Sequence, residues 1–362
     1  MNNYIFSVNV TLPIFIVILL GCVLKSLKLI NDNFVSVTNK YVFRVALPVL
    51  LFNDIATSDI LSQAKGNFVL FCMLCTIAMF LIVWLFAFLF LKDKSMVGAF
   101  AQAASRGSAA ILGVAFVENI CGNAGMAPLM IVSAVPLFNI LSVIILTFSS
   151  EMGKNLSEMG KKSSVRGDGA VKEETKRGVA EEDKKEKDKE EKDKEEKDAA
   201  ARDRKKTIKK ALVNILKNPI IIGIVLGIPF AWFKIKIPVM PSRVIDYIGR
   251  TATPMALIAI GGGFNKKEAL SRLKPAVGAS LVKLVVLPMV FLPIAVKMKF
   301  ASSEMVAILI MLASPTTVSA YVMAKEMDND CILTSNAIML TTLFSSVSLT
   351  FWIYLLRSMG II

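Results

Sequence analysis

Ten apolar runs, separated by short charged or turn-rich breaks, account for most of the chain. They lie near residues 8–27, 40–57, 68–91, 96–117, 124–148, 213–233, 244–264, 275–296, 304–324 and 331–356. A bilayer core about 30 Å thick needs about 20 helical residues to cross it, and each run has roughly that length. The pattern therefore predicts an all-α polytopic membrane protein with ten transmembrane helices.

A charged segment separates the first five runs from the last five. Its centre, Glu181 to Asp198, reads EEDKKEKDKEEKDKEEKD and contains no apolar residue that could form a core. We predict a five-helix unit over 1–148, a low-complexity linker over 149–210 and a second five-helix unit over 211–362. The linker is expected to be disordered or a solvated charged helix, with partner binding as the alternative.

The two halves resemble each other when they are offset by 206 residues. Three features share this register: Pro13–Gly21 with Pro219–Gly227, the pattern R-x-A-x-P-x-x-L beginning at Arg44 and again at Arg250, and Ser108 with Ser314. A unit of five spans starts on one side of the membrane and ends on the other, so its second copy must be inverted. Two inverted five-helix repeats are an architecture of many secondary transporters.

The amino-acid composition excludes several classes of function. Hydrophobic residues make up 55% of the chain, which excludes a soluble enzyme. The absence of histidine removes a Ser-His triad, a His-ligated zinc site and a histidine proton relay. Cys72 and Cys75 form a CxxC inside an apolar run, where two small packing residues are the simplest interpretation. We expect no enzyme activity, no cofactor and no metal site.

The net charge of +14 is mainly a topology signal. Outside the charged segment, 22 basic and 11 acidic residues remain, and the basic ones cluster at the ends of apolar runs rather than in a nucleic-acid-binding patch. Their distribution predicts a multi-pass protein of the plasma or inner membrane, with the linker in the cytoplasm and both termini outside. No nucleic-acid partner is expected.

The fourth and ninth runs are interrupted by residues that weaken a helix. The interruptions comprise Ser105, Arg106, Gly107 and Ser108 in the first half, and Ser314, Pro315, Thr316 and Thr317, followed by Ser319, in the second. Proline removes a backbone donor and glycine loosens the helix, so both runs are expected to break there. Two broken helices that cross near the midplane would direct half-helix N-termini into one cavity, which favours an anion.

Arg106 strengthens the anion hypothesis. A cation at the bilayer centre costs several kcal/mol unless it is paired or hydrated, so it is expected to serve a function there. The alternative is a structural role, in which Arg106 caps carbonyls or pairs with an acidic residue.

Two further polar residues are candidates. Asp54, near the end of the second run, could bind a coupling ion, or it could be an interfacial loop residue. Asn139, in the fifth run, could contact the substrate or hold helices together through hydrogen bonds.

Several stretches resemble the auxin efflux carrier family, which includes malate-permease-type prokaryotic proteins and plant auxin exporters. They are LPVLLF from Leu47, SRGSAAILGVAF from Ser105, PLFN from Pro136, NPIIIGIVLGIP from Asn218, TPMALIAIGGGF from Thr253 and ASPTTVSAYVMA from Ala313. The resemblance implies ten helices in two inverted repeats with broken fourth and ninth helices, akin to bile-acid symporters and sodium–proton antiporters. It also implies transport of small organic carboxylates. Family members often carry asparagine and proline at the fourth-helix break, where this chain has Arg106, Gly107 and Ser108.

The sequence thus predicts a secondary carrier for a small organic anion, auxin-like or malate-like, that moves by alternating access in an elevator-like or rocking motion. The substrate is expected where the fourth and ninth helices cross. Its partners are the lipid bilayer and a proton or other coupling ion, with uniport and homodimer formation as open alternatives. A membrane sensor or scaffold that signals through the linker is the alternative function.

Overall fold

The computed structural model describes residues 2–57, 65–109, 117–118, 125–167, 209 and 211–362. The regular elements in these ranges are helices. The first half contains α1 (Asn2–Ser26), α2 (Asp32–Tyr41), a π-helical turn (Val42–Ala46), α3 (Leu47–Ala56), α4 (Gly66–Phe90), a 3₁₀ turn (Lys94–Met96), α5 (Val97–Ser105) and α6 (Ala127–Gly167).

The second half contains α7 (Pro219–Trp232), α8 (Val239–Arg250), α9 (Ala252–Gly262), α10 (Lys266–Ser271), α11 (Leu273–Leu281), a π-helical turn (Val282–Val286), α12 (Leu287–Lys297), α13 (Ser302–Ala313), α14 (Ser319–Glu326) and α15 (Cys331–Ser358).

Five helical segments of the described chain are long and apolar enough to cross a bilayer: Asp32–Ala56, Gly66–Phe90, Ala127–Glu151, Leu273–Lys297 and Cys331–Ser358. Three shorter apolar helices accompany them: Leu12–Ser26, Pro219–Trp232 and Ser302–Ala313. The predicted all-α multi-pass membrane class is confirmed.

Two of the differences between predicted and observed boundaries concern α2 and α6. The helix expected from residue 40 begins at Asp32, because the Asn31 side chain accepts a hydrogen bond from the Phe34 N–H (2.9 Å) and so caps an additional amphipathic stretch. At the other boundary, α6 continues past residue 148 to Gly167, so the first part of the predicted linker extends the preceding helix.

Prolines explain where several helices are distorted. Each π-helical turn is followed by a proline two residues later, Pro48 in the first half and Pro288 in the second. A proline has no N–H for the carbonyl four residues before it, so that carbonyl needs another donor. For Pro288 this is the Leu284 carbonyl, which accepts hydrogen bonds from Trp352 Nε1 (3.0 Å) and Ser348 Oγ (2.7 Å) on α15.

Buried apolar side chains form two clusters. The first cluster takes its residues mainly from α4, α5, α6, α11, α12, α13 and α15. The second cluster takes its residues mainly from α1, α2, α3, α7, α9 and α14, together with one part of α6. The crossing described below lies among helices of the first cluster and touches the second through α14.

Close backbone approaches hold the second cluster together. A Cβ added at Gly21 of α1 would lie 2.5 Å from the Ile258 carbonyl oxygen of α9, and one at Gly227 of α7 would lie 3.0 Å from the Phe52 carbonyl oxygen of α3. Neither distance accommodates a larger residue without movement, so glycine is needed for both helix pairs to pack this closely.

Candidate functional site

The two interrupted helices meet at their breaks. Gly107 forms an isolated antiparallel bridge with Thr316, and the Ser108 N–H donates to the Pro315 carbonyl oxygen at 2.8 Å. The Thr316 hydroxyl donates to the Ala103 carbonyl oxygen at 2.7 Å. The extended segments of the two halves thus satisfy each other's backbone hydrogen-bonding groups, as non-helical backbone inside a membrane requires. We call this junction, residues 105–108 and 314–319, the crossing.

Gly107 fits at the crossing because it has no side chain. A Cβ at this position would lie 2.4 Å from Ser314 Oγ and 3.1 Å from Lys283 Nζ. Ser314 Oγ is itself buried and has no hydrogen-bond partner among the described residues. The main chain at Gly107 therefore passes directly beside a free hydroxyl and a cation.

Arg106 leaves the end of α5 in an extended conformation, and its side chain is only 5% exposed. Nη2 donates to Asn139 Oδ1 (2.6 Å) and to Ser319 Oγ (2.9 Å), and Nη1 contacts the sulfur of Met323. Asn139 in turn donates to the Val135 carbonyl oxygen at 2.9 Å. Among the described residues, the direct polar partners of the guanidinium are all neutral, and no ion pair within that set includes Arg106.

Arg272 shows how this chain pairs an arginine in a structural role. It lies between α10 and α11, where Nη1 is 3.4 Å from an Asp93 carboxylate oxygen and Nε is 2.8 Å from one of Asp330. The Ser95 hydroxyl donates to Asp93 and, together with Arg272, holds the pKa of that carboxyl below its ordinary value. The described part of the chain gives Arg106 no such carboxylate.

A second cation, Lys283, lies at the crossing on the π-helical turn after α11. It is fully buried, and Nζ donates to the carbonyl oxygens of Ser105 (3.1 Å) and Met311 (3.4 Å). It was missed at the sequence level, although the signal was the same as for Arg106. Lys283 is a charged residue in the interior of an apolar run, near residues 275–296.

Most of the residues predicted for the site come together at the crossing. Their remaining polar contacts are the Thr316 N–H to Thr341 Oγ1 (3.0 Å), Thr317 Oγ1 with Ser319 Oγ (3.2 Å), and Ser105 Oγ to the Met79 carbonyl (3.5 Å). Ser319 was recognised only as part of the second interruption and Met323 not at all; their contacts with Arg106 were not predicted, because a sequence does not show which side chains meet across two helices.

Asp54 is not joined to the crossing. It lies in the last turn of α3, half-buried, and no described hydrogen bond links it to Arg106 or Lys283. Its neighbour Phe52 packs edge-on against Phe230 of α7, with ring centroids 5.2 Å apart. A coupling role for Asp54 stays a prediction. Within the described ranges, no group of three or more Cys, Asp or Glu side chains could hold a metal ion.

A cavity of about 260 Å³ with several charged and polar lining residues lies beside the second cluster, among α2, α9, α10, α14 and the start of α15. Asp32 of α2, Glu268 of α10, and Tyr321 and Lys325 of α14 are among the residues that line it. The same helix, α14, begins at Ser319, which contacts Arg106. One short helix thus connects the cavity to the crossing.

The chain belongs to a family of membrane transport proteins, whose model matches residues 6–353. The resemblance to auxin efflux carriers and the expected class, a transporter and not an enzyme, are confirmed. A protein of Rhizobium meliloti (strain 1021), whose name gives malonate transport as its presumed activity, is 29% identical over 143 residues. That match covers 39% of this chain and 44% of the relative, so the chain aligns with less than half of that protein.

Proposed function

We propose that this membrane transporter is a secondary carrier for a small organic carboxylate, which binds beside Arg106 at the crossing and moves by alternating access. The observation that carries the proposal is a buried guanidinium whose direct partners in the described part of the chain are neutral. Burying a cation without a counter-ion is costly, and a substrate carboxylate would supply the missing charge.

The surroundings of Arg106 suit an anion. The guanidinium lies against Ser319, the first residue of α14, where the N-terminal end of the helix dipole is positive. A planar guanidinium can bind a carboxylate through two parallel hydrogen bonds. Asn139 Oδ1 and Ser319 Oγ both accept from Nη2, and the Met323 sulfur contacts Nη1; the substrate would displace some of these partners, while the nearby Thr317 hydroxyl adds a further polar contact.

The internal repeat supports an inverted arrangement of two five-helix units. With the 206-residue offset, Gly21 corresponds to Gly227 and Phe52 to Ile258, and the structure packs Gly21 on Ile258 and Gly227 on Phe52. The same pair of positions therefore meets twice, with the halves exchanged, as a twofold relation between inverted repeats would produce.

The division into two clusters supports a relative motion. The crossing lies among helices of the first cluster and touches the second cluster through α14, which also lines the cavity beside the second cluster. Rocking or sliding of the first cluster against the second would expose Arg106 to one side of the membrane and then to the other. Lys325 lines the cavity and Lys25 pairs with Asp32 at its edge; because basic residues favour the cytoplasmic side of a membrane, we assign the cavity as the cytoplasmic vestibule.

The substrate class is a small mono- or dicarboxylate. The name of the Rhizobium meliloti relative makes malonate a reasonable first test compound. A dicarboxylate would neutralise one charge at Arg106 and present a second carboxylate to the hydroxyl and amide groups around it. Coupling to a proton and electrogenic uniport both remain consistent with this site.

Flux measurements test the proposal. Purified protein in liposomes is given labelled malonate, malate, acetate and indole-3-acetate, with pH, sodium and potential gradients applied one at a time. We expect saturable uptake of at least one carboxylate, inhibited by unlabelled compound and absent from protein-free liposomes. No saturable flux of any carboxylate would overturn the proposal.

A variant that lacks residues 168–208 separates a carrier from a sensor. The proposed site lies outside this segment, so the deletion is expected to retain the wild-type uptake rate within about twofold. Loss of uptake in a folded deletion variant would instead connect the linker to function.

A further inference from the structure

The buried lysine at the crossing is held by the carbonyl ends of two helices. Lys283 is 0% exposed, and it contacts the last residue of α5, Ser105, and the last turn of α13 at Met311. None of the described ion pairs includes it. A fully buried ammonium needs compensating negative charge, and among the described residues its hydrogen-bond acceptors are these two backbone carbonyls.

The chain leaves the Met311 carbonyl open for this contact. In a continuous helix that carbonyl would accept from the N–H of residue 315, but Pro315 has none. The Ser105 carbonyl lies at the end of α5, where the helix stops. Each helix C-terminus carries the equivalent of about half a negative charge, so two together match one ammonium.

Hydrogen bonds from α15 fix the π-helical turn that carries Lys283. Pro288 frees the Leu284 carbonyl, and Trp352 and Ser348 of α15 both donate to it. The π-helical turn that carries Lys283 is thereby fastened to α15. On the other side, Ser314 Oγ, which has no hydrogen-bond partner within the described ranges, lies beside the same point of the Gly107 main chain as Lys283 Nζ.

We propose that this pocket is a cation site, formed by the carbonyl oxygens of Ser105 and Met311 with the hydroxyl of Ser314, and that Lys283 Nζ occupies it as a built-in cation. The set consists of neutral oxygens at two negative helix ends, a chemistry that suits alkali-metal or alkylammonium ions. Lys283 thus takes the place of a coupling metal ion at the crossing. The transport part of the inference depends on the proposed carrier function, but the cation site does not.

Shortening Lys283 tests this by emptying the site. Lys283→Ala is purified and assayed in N-methylglucamine buffer, whose bulky cation does not fit, and then with sodium, potassium or propylammonium. We expect the alanine variant to melt at a lower temperature and to transport at least about tenfold more slowly than wild type. Both properties should recover by at least half with propylammonium or one of the alkali metals.

Lys283→Met is the matched control, because methionine fills a similar volume without a charge and leaves no room for an added cation. It should show the same loss and no recovery. Equal behaviour of the alanine and methionine variants in every cation would overturn the proposal, as would unimpaired Lys283→Ala in N-methylglucamine.

Two measurements keep the outcome decisive. Wild-type uptake should have the same rate in sodium, potassium and N-methylglucamine at fixed pH and potential, and a requirement for sodium would contradict a built-in cation even if Lys283→Ala does not fold. The melting temperatures need no transport assay. Failure of all carboxylate flux would therefore reject the proposed function, while cation-dependent melting of Lys283→Ala would still support the site.

Discussion

Two buried cations lie at the crossing, and they differ in what surrounds them. Lys283 contacts two helix C-termini, whose partial negative charges balance its ammonium. Arg106 contacts an amide, a hydroxyl and a sulfur, next to the positive N-terminal end of α14. Within the described residues, the lysine is balanced by partial negative charge and the arginine is not. This difference is the basis for proposing a fixed structural charge for Lys283 and substrate recognition for Arg106.

Arg272 adds a third case. Its two carboxylate neighbours, Asp93 and Asp330, satisfy it within the chain. Arg272, whose charge is neutralised within the chain, therefore differs from Arg106 in having carboxylate partners. Each variant described below changes the surroundings of one of these cations.

Asn139→Asp should have the largest effect, because it gives Arg106 an internal carboxylate. The Asn139 oxygen already lies 2.6 Å from Nη2, so the new charge would occupy the guanidinium permanently and exclude the substrate. We expect carboxylate uptake to fall by about 100-fold or more, since a held carboxylate competes at a very high effective concentration. The melting temperature should stay equal or rise.

Asn139→Leu is the control for that variant. It removes the same hydrogen bond without adding charge, and uptake should fall only a few-fold. If the aspartate and leucine variants transport at equal rates, the missing counter-ion of Arg106 is not what the substrate provides.

Gly107→Ala should push apart the two interrupted helices where they meet at the crossing. The added methyl group would lie 2.4 Å from Ser314 Oγ and press towards Lys283 Nζ. Overpacking of this kind costs about 1–3 kcal/mol, and we expect that loss in unfolding free energy together with slower uptake. Gly66→Ala, where nothing lies within 4 Å of the new atom, should be silent in both measurements. If Gly107→Ala has wild-type stability and uptake, the close contact between the two helix breaks is not required.

Pro315→Ala should weaken the need for Lys283. Alanine restores an N–H that can donate to the Met311 carbonyl, which is otherwise left to Lys283. In a double-mutant cycle of thermal stability, Lys283→Met should cost about 1 kcal/mol less in the Pro315→Ala background, the net value of one hydrogen bond. Additive effects would show that Lys283 does not compensate this carbonyl.

Asp93→Asn should have the smallest effect, because the Arg272 cluster is partly exposed. At neutral pH the loss should be below about 1 kcal/mol. The folded-state pKa of Asp93 is lowered, so its contribution is present above the unfolded-state pKa and disappears as the pH falls through the folded-state value. The stability difference between wild type and variant should therefore vanish in acid and return on neutralisation. A pH-independent difference would exclude the charge as its cause.

Sequence reasoning located both helix interruptions because proline and glycine act locally. Gly107 and Pro315 lie where the helices stop, and Arg106 was recognised from its position in an apolar run. The partners of Arg106 could not be predicted, since Ser319 and Met323 reach it only when two distant helices cross. Lys283 carried the same local signal as Arg106 and was overlooked, and its role depends on a carbonyl that Pro315 frees in another helix.

The most direct test of Arg106 as the substrate's cation is equilibrium binding to purified protein of malonate and of its uncharged analogue malonamide. Wild type should bind malonate and discriminate against malonamide. Arg106→Gln should bind malonate about 100-fold more weakly, as expected for loss of a buried charge-assisted pair, with the discrimination largely gone and the melting temperature little changed. An Arg106→Gln protein that binds malonate as tightly as wild type would contradict the account.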